Sequence, residues 1–262
     1  MITPKTKAIL PMDYAGMSCK IFELNEIAQK NNLILIEDAA ECLGSSINGK
    51  KIGSISDTTI FSFCGNKVLT TGEGGAVITN SKKEYEKIKL IRSHGRLDKT
   101  NFFNNPSASD YLDLGYNWRM SSMTAALGIS QLSKLDKIID LRKNNAKFLS
   151  SKLSKFSSIR VPAPPIGYDH IYQMYTIRLS NQSLRDNLHD FLTQKKIFSK
   201  VYFNPIHLTE FYKKKFNLKE NSLPQTETIS SQVLTLPLYP NMENEEKNYI
   251  VESISEFFEK RE

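Results

Sequence analysis

The chain has little of what marks a specialised protein class. Its 262 residues include 3 cysteines, 10 prolines, 12 glycines and a single tryptophan. So little glycine and proline excludes a collagen-like or low-complexity chain, and no serine-glycine tract or charge block offers a long flexible tether. Cys19, Cys42 and Cys64 are odd in number and form no Cys-x-x-Cys pair. Neither a disulfide framework nor a metal site is therefore expected, and the thiols read as packed and reduced in a cytoplasm. No apolar run approaches the ~20 residues of a membrane span, and the short run Ala8-Ile9-Leu10 is interrupted by Pro11, so neither a span nor a signal peptide is expected.

Charge of one sign is also not concentrated. Lysine and arginine number 35 against 28 acids, a net +7, yet the lysines are spread as Lys82-Lys83, Lys195-Lys196 and Lys213-Lys214-Lys215. Scattered lysines read as solvated helix faces rather than a stripe that tracks phosphates, so no nucleic-acid partner is expected. A mild positive field suits an anionic small molecule.

What is present is a globular composition, 40% hydrophobic and 24% charged, enough for a substantial core. Residues 7–12, 21–31 and 33–36 read as strand, helix and strand, a βαβ unit. Leu33-Ile34-Leu35-Ile36 is apolar at every position, as in a parallel strand covered on both faces. Residues 58–63 and 74–79 follow as strands, and 82–93 as an amphipathic helix. From 121 to about 155 helical spacing predicts one long or broken helix, with Ser121 or Ser122 as N-cap. Beyond 156, strands at 172–179 and 200–203 alternate with helices at 183–195, 224–233 and 243–260, a smaller α+β arrangement. The stretch Val161-Pro162-Ala163-Pro164-Pro165 reads as rigid extended chain in the boundary region. The expected division is 1–150, a large α/β domain with a linking helix, and 151–262, a small C-terminal domain.

The candidate chemistry lies at strand ends. Ligands of open α/β sheets bind beyond the carboxyl ends of the strands, where this sequence puts Asp38 after one strand, Ser62 after another and Lys67 in the following loop. A lysine between apolar strand residues and a glycine-rich turn can lose hydration and become a nucleophilic, imine-forming amine. Ala39 and Ala40 leave room for a flat ring against the backbone. Gly72, Gly74 and Gly75 match neither the dinucleotide fingerprint nor a Walker loop. Read singly, Asp38 could cap a helix, Ser62 satisfy a strand end and Asn117 stabilise its own turn.

Taken together, Ile36-Glu37-Asp38-Ala39-Ala40-Glu41, Ser62-Phe63-Cys64-Gly65-Asn66-Lys67, Thr71-Gly72-Glu73-Gly74-Gly75, Leu114-Gly115-Tyr116-Asn117-Trp118-Arg119-Met120 and Asn204-Pro205-Ile206-His207-Leu208 resemble the DegT/DnrJ/StrS sugar aminotransferases. The branch they look most like makes 4-amino-4,6-dideoxy sugars, similar to perosamine synthases. The resemblance implies aminotransferase fold type I, an α/β architecture with a mainly parallel sheet, and pyridoxal 5'-phosphate as cofactor. It implies that Lys67 condenses with the cofactor aldehyde and moves protons. Asp38 would pair with the pyridinium nitrogen, Ala40 lie on the ring face and Ser62 bind the phosphate. Asn117 would reach the phosphate in the other subunit of a homodimer with shared sites. Glu41 stands where the family often has a glutamine contacting the ring hydroxyl. His207 and Arg119 are weaker, substrate-side candidates. The implied reaction is transamination of a nucleotide-linked keto sugar, with glutamate or glutamine as amino donor, for amino-sugar and surface-polysaccharide biosynthesis. Family members begin roughly a hundred residues earlier, with a phosphate loop and a ring-stacking aromatic. The large-domain sheet is accordingly expected to be incomplete, and the alternative is an inactive or regulatory subunit of the same fold.

Overall fold

The computed structural model describes residues 1–96 and 110–260. The chain forms two compact units, one of residues 1–136 with 167–169, the other of residues 137–166 with 170–262.

The first unit holds the βαβ element. Strand β1 (Ala8–Ile9) leads through helix α1 (Ile21–Lys30) to β2 (Ile34–Asp38), and β1 and β2 pair in parallel. A hairpin of β3 (Ser46–Ile47) and β4 (Lys50–Lys51) precedes β5 (Thr58–Ser62), which pairs in parallel with β2, and β6 (Gly75–Thr79) runs antiparallel to β5. The sheet order is β1-β2-β5-β6. Helix α2 (Lys82–Arg92) is capped by Ser81, whose hydroxyl accepts from the Glu84 N–H. Ile21 and Ala28 of α1 pack on Leu35, Ala39 and Phe61 in one buried cluster with Ile47 and Ile52. The strand at 33–36 is not covered on both faces among the described residues. Leu35 is fully buried while Ile34 is exposed, so β2 alternates as a one-sided strand does.

The helical stretch after 121 is broken. Helix α3 (Ser122–Leu132), capped by Ser121 at the Thr124 N–H, ends where the Ser133 hydroxyl bonds the Ser130 carbonyl, and α4 (Leu135–Leu153) starts two residues later. In the second unit β7 (Ile159–Arg160), β9 (Tyr175–Leu179) and β10 (Val233–Leu236) form an antiparallel sheet in the order β10-β9-β7. Between them, β8 (Tyr168–Asp169) joins β3 in the first unit. Tyr175, Ile177 and Leu179 of β9 meet Leu149 and Leu153 of α4, Leu188 and Leu192 of α5 (Gln182–Gln194) and Ile250 and Ile254 of α8 (Asn244–Glu259). Each such buried aliphatic side chain contributes about 1.5–3 kcal/mol. Residues 200–203 are not a strand: only Lys200 bridges to Thr235. The short strands β3, β4, β7 and β8 are not among the sequence expectations, and neither are α6 (Glu210–Phe216) nor most of β10, which follows directly on α7 (Pro224–Gln232). No described helix is long and apolar enough to cross a membrane.

Candidate active site

Parallel pairing puts the carboxyl ends of β1, β2 and β5 along one edge of the first unit's sheet. The Asp13 N–H donates to the Asp38 carbonyl at 2.9 Å, the Asp38 N–H donates to the Pro11 carbonyl at 3.0 Å, and the Ala39 N–H donates to the Ile60 carbonyl at 3.0 Å. The end of β2 and the residue that follows it are thus tied to the chain on both sides. There the half-buried Asp38 turns one carboxylate oxygen, Oδ1, back to the Ala40 N–H at 3.1 Å; Oδ2 makes no hydrogen bond among the described residues.

The β5–β6 loop is closed by its own backbone. The Phe63 N–H donates to the Gly74 carbonyl, the Thr71 N–H to the Phe63 carbonyl and the Lys67 N–H to the Cys64 carbonyl, at 2.9, 2.9 and 3.0 Å. Lys67 therefore sits in a short structured loop with Val68 and Leu69 buried beside it. Its Nζ lies 3.4 Å from Glu41 Oε1, while Glu41 Oε2 accepts the Ala15 N–H at 2.8 Å. Glu41, only 8% exposed, bridges the turn after β1, the segment after β2 and the lysine loop. Lys67 and Asp38 accordingly stand at the same end of the sheet. Ser62 closes β5 opposite Gly75, and its oxygen accepts the Cys64 N–H at 3.3 Å, which leaves the hydroxyl proton to donate elsewhere.

Asn117 and Arg119 lie on an exposed segment pinned to the end of α2. Asn117 bridges Ser93, the Trp118 N–H donates to the Arg92 carbonyl at 3.0 Å, and Tyr116 stacks on Trp118 with ring centroids 4.2 Å apart. The Arg119 guanidinium donates to Asn117 Oδ1 at 3.3 Å and lies 3.2 Å from His94 Nε2. The Asn117 amide nitrogen is left without a hydrogen bond among the described residues. His207 belongs to the second unit, buried in a 3-10 turn (Ile206–Leu208), with Nε2 2.9 Å from Glu227 Oε1. The His207 ring and the Asn221 N–H together hold the Glu227 carboxyl below its ordinary range.

Two groups escaped the sequence reading. Asp13, beyond β1 and tied through its N–H to the Asp38 carbonyl, and Glu37, next to Asp38, are fully buried. The signal was available for Asp13, an acid ending a short apolar run as Asp38 does. The Glu227 partner of His207 had no comparable signal, because 20 residues separate them. Among the described residues no group of three or more His, Cys, Asp and Glu side chains could hold a metal ion.

The donor set fits pyridoxal 5'-phosphate: a loop amine, a carboxylate with one oxygen uncommitted, a hydroxyl with its proton free and small residues after the acid, all at the carboxyl edge of a mainly parallel sheet. Fold and site together define an α/β enzyme of aminotransferase fold type I. The chain belongs to the DegT/DnrJ/EryC1/StrS aminotransferase family, whose model matches residues 1–255. It is 32% identical over 257 residues to the GDP-perosamine synthase of Escherichia coli O157:H7, covering 98% of this chain and 67% of that protein. It superposes on Helicobacter pylori PseC, an aminotransferase involved in the biosynthesis of pseudaminic acid, with a TM-score of 0.91 and 29% identity, covering 99% of this chain and 69% of that one. It also matches Spr1654 of Streptococcus pneumoniae in its PMP form, with a TM-score of 0.90 and 25% identity, covering 99% and 71%. The chain spans about two thirds of the length of these relatives.

Proposed function

We propose that this chain carries the amino-transfer centre of a pyridoxal-phosphate enzyme that aminates a nucleotide-linked keto sugar, with glutamate as donor, in amino-sugar and polysaccharide biosynthesis. The observation that carries the reading is the Lys67 amine, held by Glu41 in the segment that begins with Asp38. Likeness to GDP-perosamine synthase supports the sugar-nucleotide class of substrate, and likeness to a protein solved in its PMP form supports the cofactor.

When bound, the cofactor supplies an electron-accepting ring that stabilises negative charge at the carbon losing or gaining the amino group. The chain's own residues do the rest. Lys67 Nζ is the amine that would hold the cofactor through its aldehyde carbon, and as a free amine it would take and return the proton at the reacting carbon. Asp38 Oδ2 holds the proton on the ring nitrogen, which keeps the ring electron-accepting. Ser62 donates its hydroxyl to the phosphate, and the Asn117 amide nitrogen donates to the phosphate in the neighbouring subunit. Ala40 packs on the ring face. Glu41, which holds the Lys67 amine at 3.4 Å, would as a carboxylate accept a hydrogen bond from the ring hydroxyl. Arg119, and His207 through Nδ1, are the substrate-side groups. The enzyme acts as a homodimer in the cytoplasm, where its free cysteines stay reduced.

Borohydride reduction of the chain with pyridoxal phosphate, followed by peptide mass spectrometry, tests this. A single adduct is expected on Lys67 and none in Lys67→Ala, and a wild-type chain without adduct, or an adduct surviving in Lys67→Ala, overturns the assignment. Formation of 2-oxoglutarate from glutamate in the presence of nucleotide-linked keto sugars tests donor and acceptor.

A further inference from the structure

Arg160 of β7 and Arg178 of β9 are direct cross-strand partners. Opposed residues of an antiparallel pair project to the same face with Cβ atoms about 4.5–5.5 Å apart, a spacing at which like charges repel. Their neighbours Ile159 and Leu179, also opposed, are buried in the core on the other face, so strand alternation drives both guanidiniums out together. Neither has a carboxylate partner among the described residues. They line a cleft of about 290 Å³ with Ser157, Ser158, Ser180 and Gln232, and no acid borders it. Gln232 fixes one of them: its Oε1 accepts the Arg178 Nε–H at 2.6 Å while its amide nitrogen donates to the Ser180 carbonyl at 3.1 Å. The two terminal amino groups of Arg178 make no hydrogen bond among the described residues.

We propose that this cleft is a binding site for a phosphate dianion, either free or carried as the phosphomonoester of a small soluble molecule. A dianion answers two adjacent positive charges, guanidinium forks match its oxygens bidentately, and serine hydroxyls supply neutral donors around them. A cation is repelled, and an acidic peptide would meet a concave cleft at the lower end of small-molecule sites in size. The cleft belongs wholly to the second unit, whereas Lys67, Asp38 and Ser62 belong to the first, and none of its lining residues is assigned to the amino-transfer centre.

Calorimetric titration of the full chain, preincubated with pyridoxal phosphate, freed of unbound cofactor by gel filtration and held at constant ionic strength with chloride, tests the site with inorganic phosphate and ribose 5-phosphate as probes. Saturable binding is expected, roughly tenfold or more weaker in Arg160→Gln or Arg178→Gln and lost in the double variant. Equal affinity for the two probes assigns free phosphate, and tighter ribose 5-phosphate assigns an organic phosphomonoester. Without phosphate, Arg160→Gln is expected to melt about 1–3 °C higher than wild type, because the repulsion is gone, and to lose that advantage when phosphate is added. No saturable binding, or unchanged binding in a folded double variant, overturns the proposal. Neither result depends on whether Lys67 takes up the cofactor.

Discussion

Glu37 and Asp13 have no exposed surface, and each keeps one carboxylate oxygen, Oε1 and Oδ2, without a hydrogen-bond partner. Burial pushes the Glu37 carboxyl up to about 7, with the Asp13 charge adding to it, against hydrogen bonds to Thr59, Ser56 and the Gly53 N–H that favour the ionised form. Asp13 is raised by burial too, while the Cys19 and Ser18 groups pull it down. The folded chain therefore keeps a proton that the unfolded chain releases near the ordinary glutamate value of 4.5. Stability contributed by this group is full below that value and declines as pH rises toward 7, by about 3 kcal/mol. Denaturant titrations from pH 4.5 to 7.5 should show the decline, and Glu37→Gln should flatten it; an unchanged slope in the variant places the titration elsewhere. The sequence names Glu37 and Asp38 side by side and its motif favours Asp38. Which of them faces away from water follows from the pleat of β2, and the buried partner Asp13 comes from another strand.

Elements carry the next level of the site. Gly75 opens β6 opposite Ser62, and a Cβ there would stand 2.6 Å from the Phe61 carbonyl oxygen. Only glycine lets the two strands approach closely enough to close the lysine loop. Gly75→Ala should therefore destabilise the chain by about 1–3 kcal/mol and reduce the yield of trapped cofactor, read by thermal melting and by the same peptide mass spectrum. The glycines were legible as a turn, and the strands flanking them were read to within a residue, because period-2 patterns next to glycine leave few alternatives. The helix expected over 224–233 takes in only the first residue of strand β10, and 234–236 carry no expected element. The four residues of β10, Val233-Leu234-Thr235-Leu236, follow α7 without a breaker, and a short apolar run does not distinguish strand from helix until its pairing with β9 is known. The strand reading of 200–203 failed for the converse reason: the pattern was present, but only Lys200 finds a ladder partner.

At the scale of the whole molecule, α3 stands apart from α1 and α2 of the same unit, which bury residues as it does not. It buries no residue, and Met123 is 84% and Ile129 72% exposed, with Trp118 and Leu114 on the preceding segment also open. Apolar surface of this extent marks an association face, and the proposed homodimer, closed by a two-fold axis, would cover it. Sedimentation should show a dimer that Ile129→Asp converts to monomer without loss of helix signal, since Ile129 touches no core; a wild-type monomer removes the homodimer from the proposal. The sequence by itself determined the class of fold, the position of Lys67 after a strand and of Asp38 at the end of another, and the α/β order of the first unit, because local periodicity and strand-end chemistry are written in neighbouring residues. The tertiary structure alone decided that Glu41 grips Lys67, that Glu227 holds His207 and that Arg160 faces Arg178. Those pairings span 26, 20 and 18 residues of chain, and only sheet register and the folding of loops over strand ends bring such groups within reach of one another.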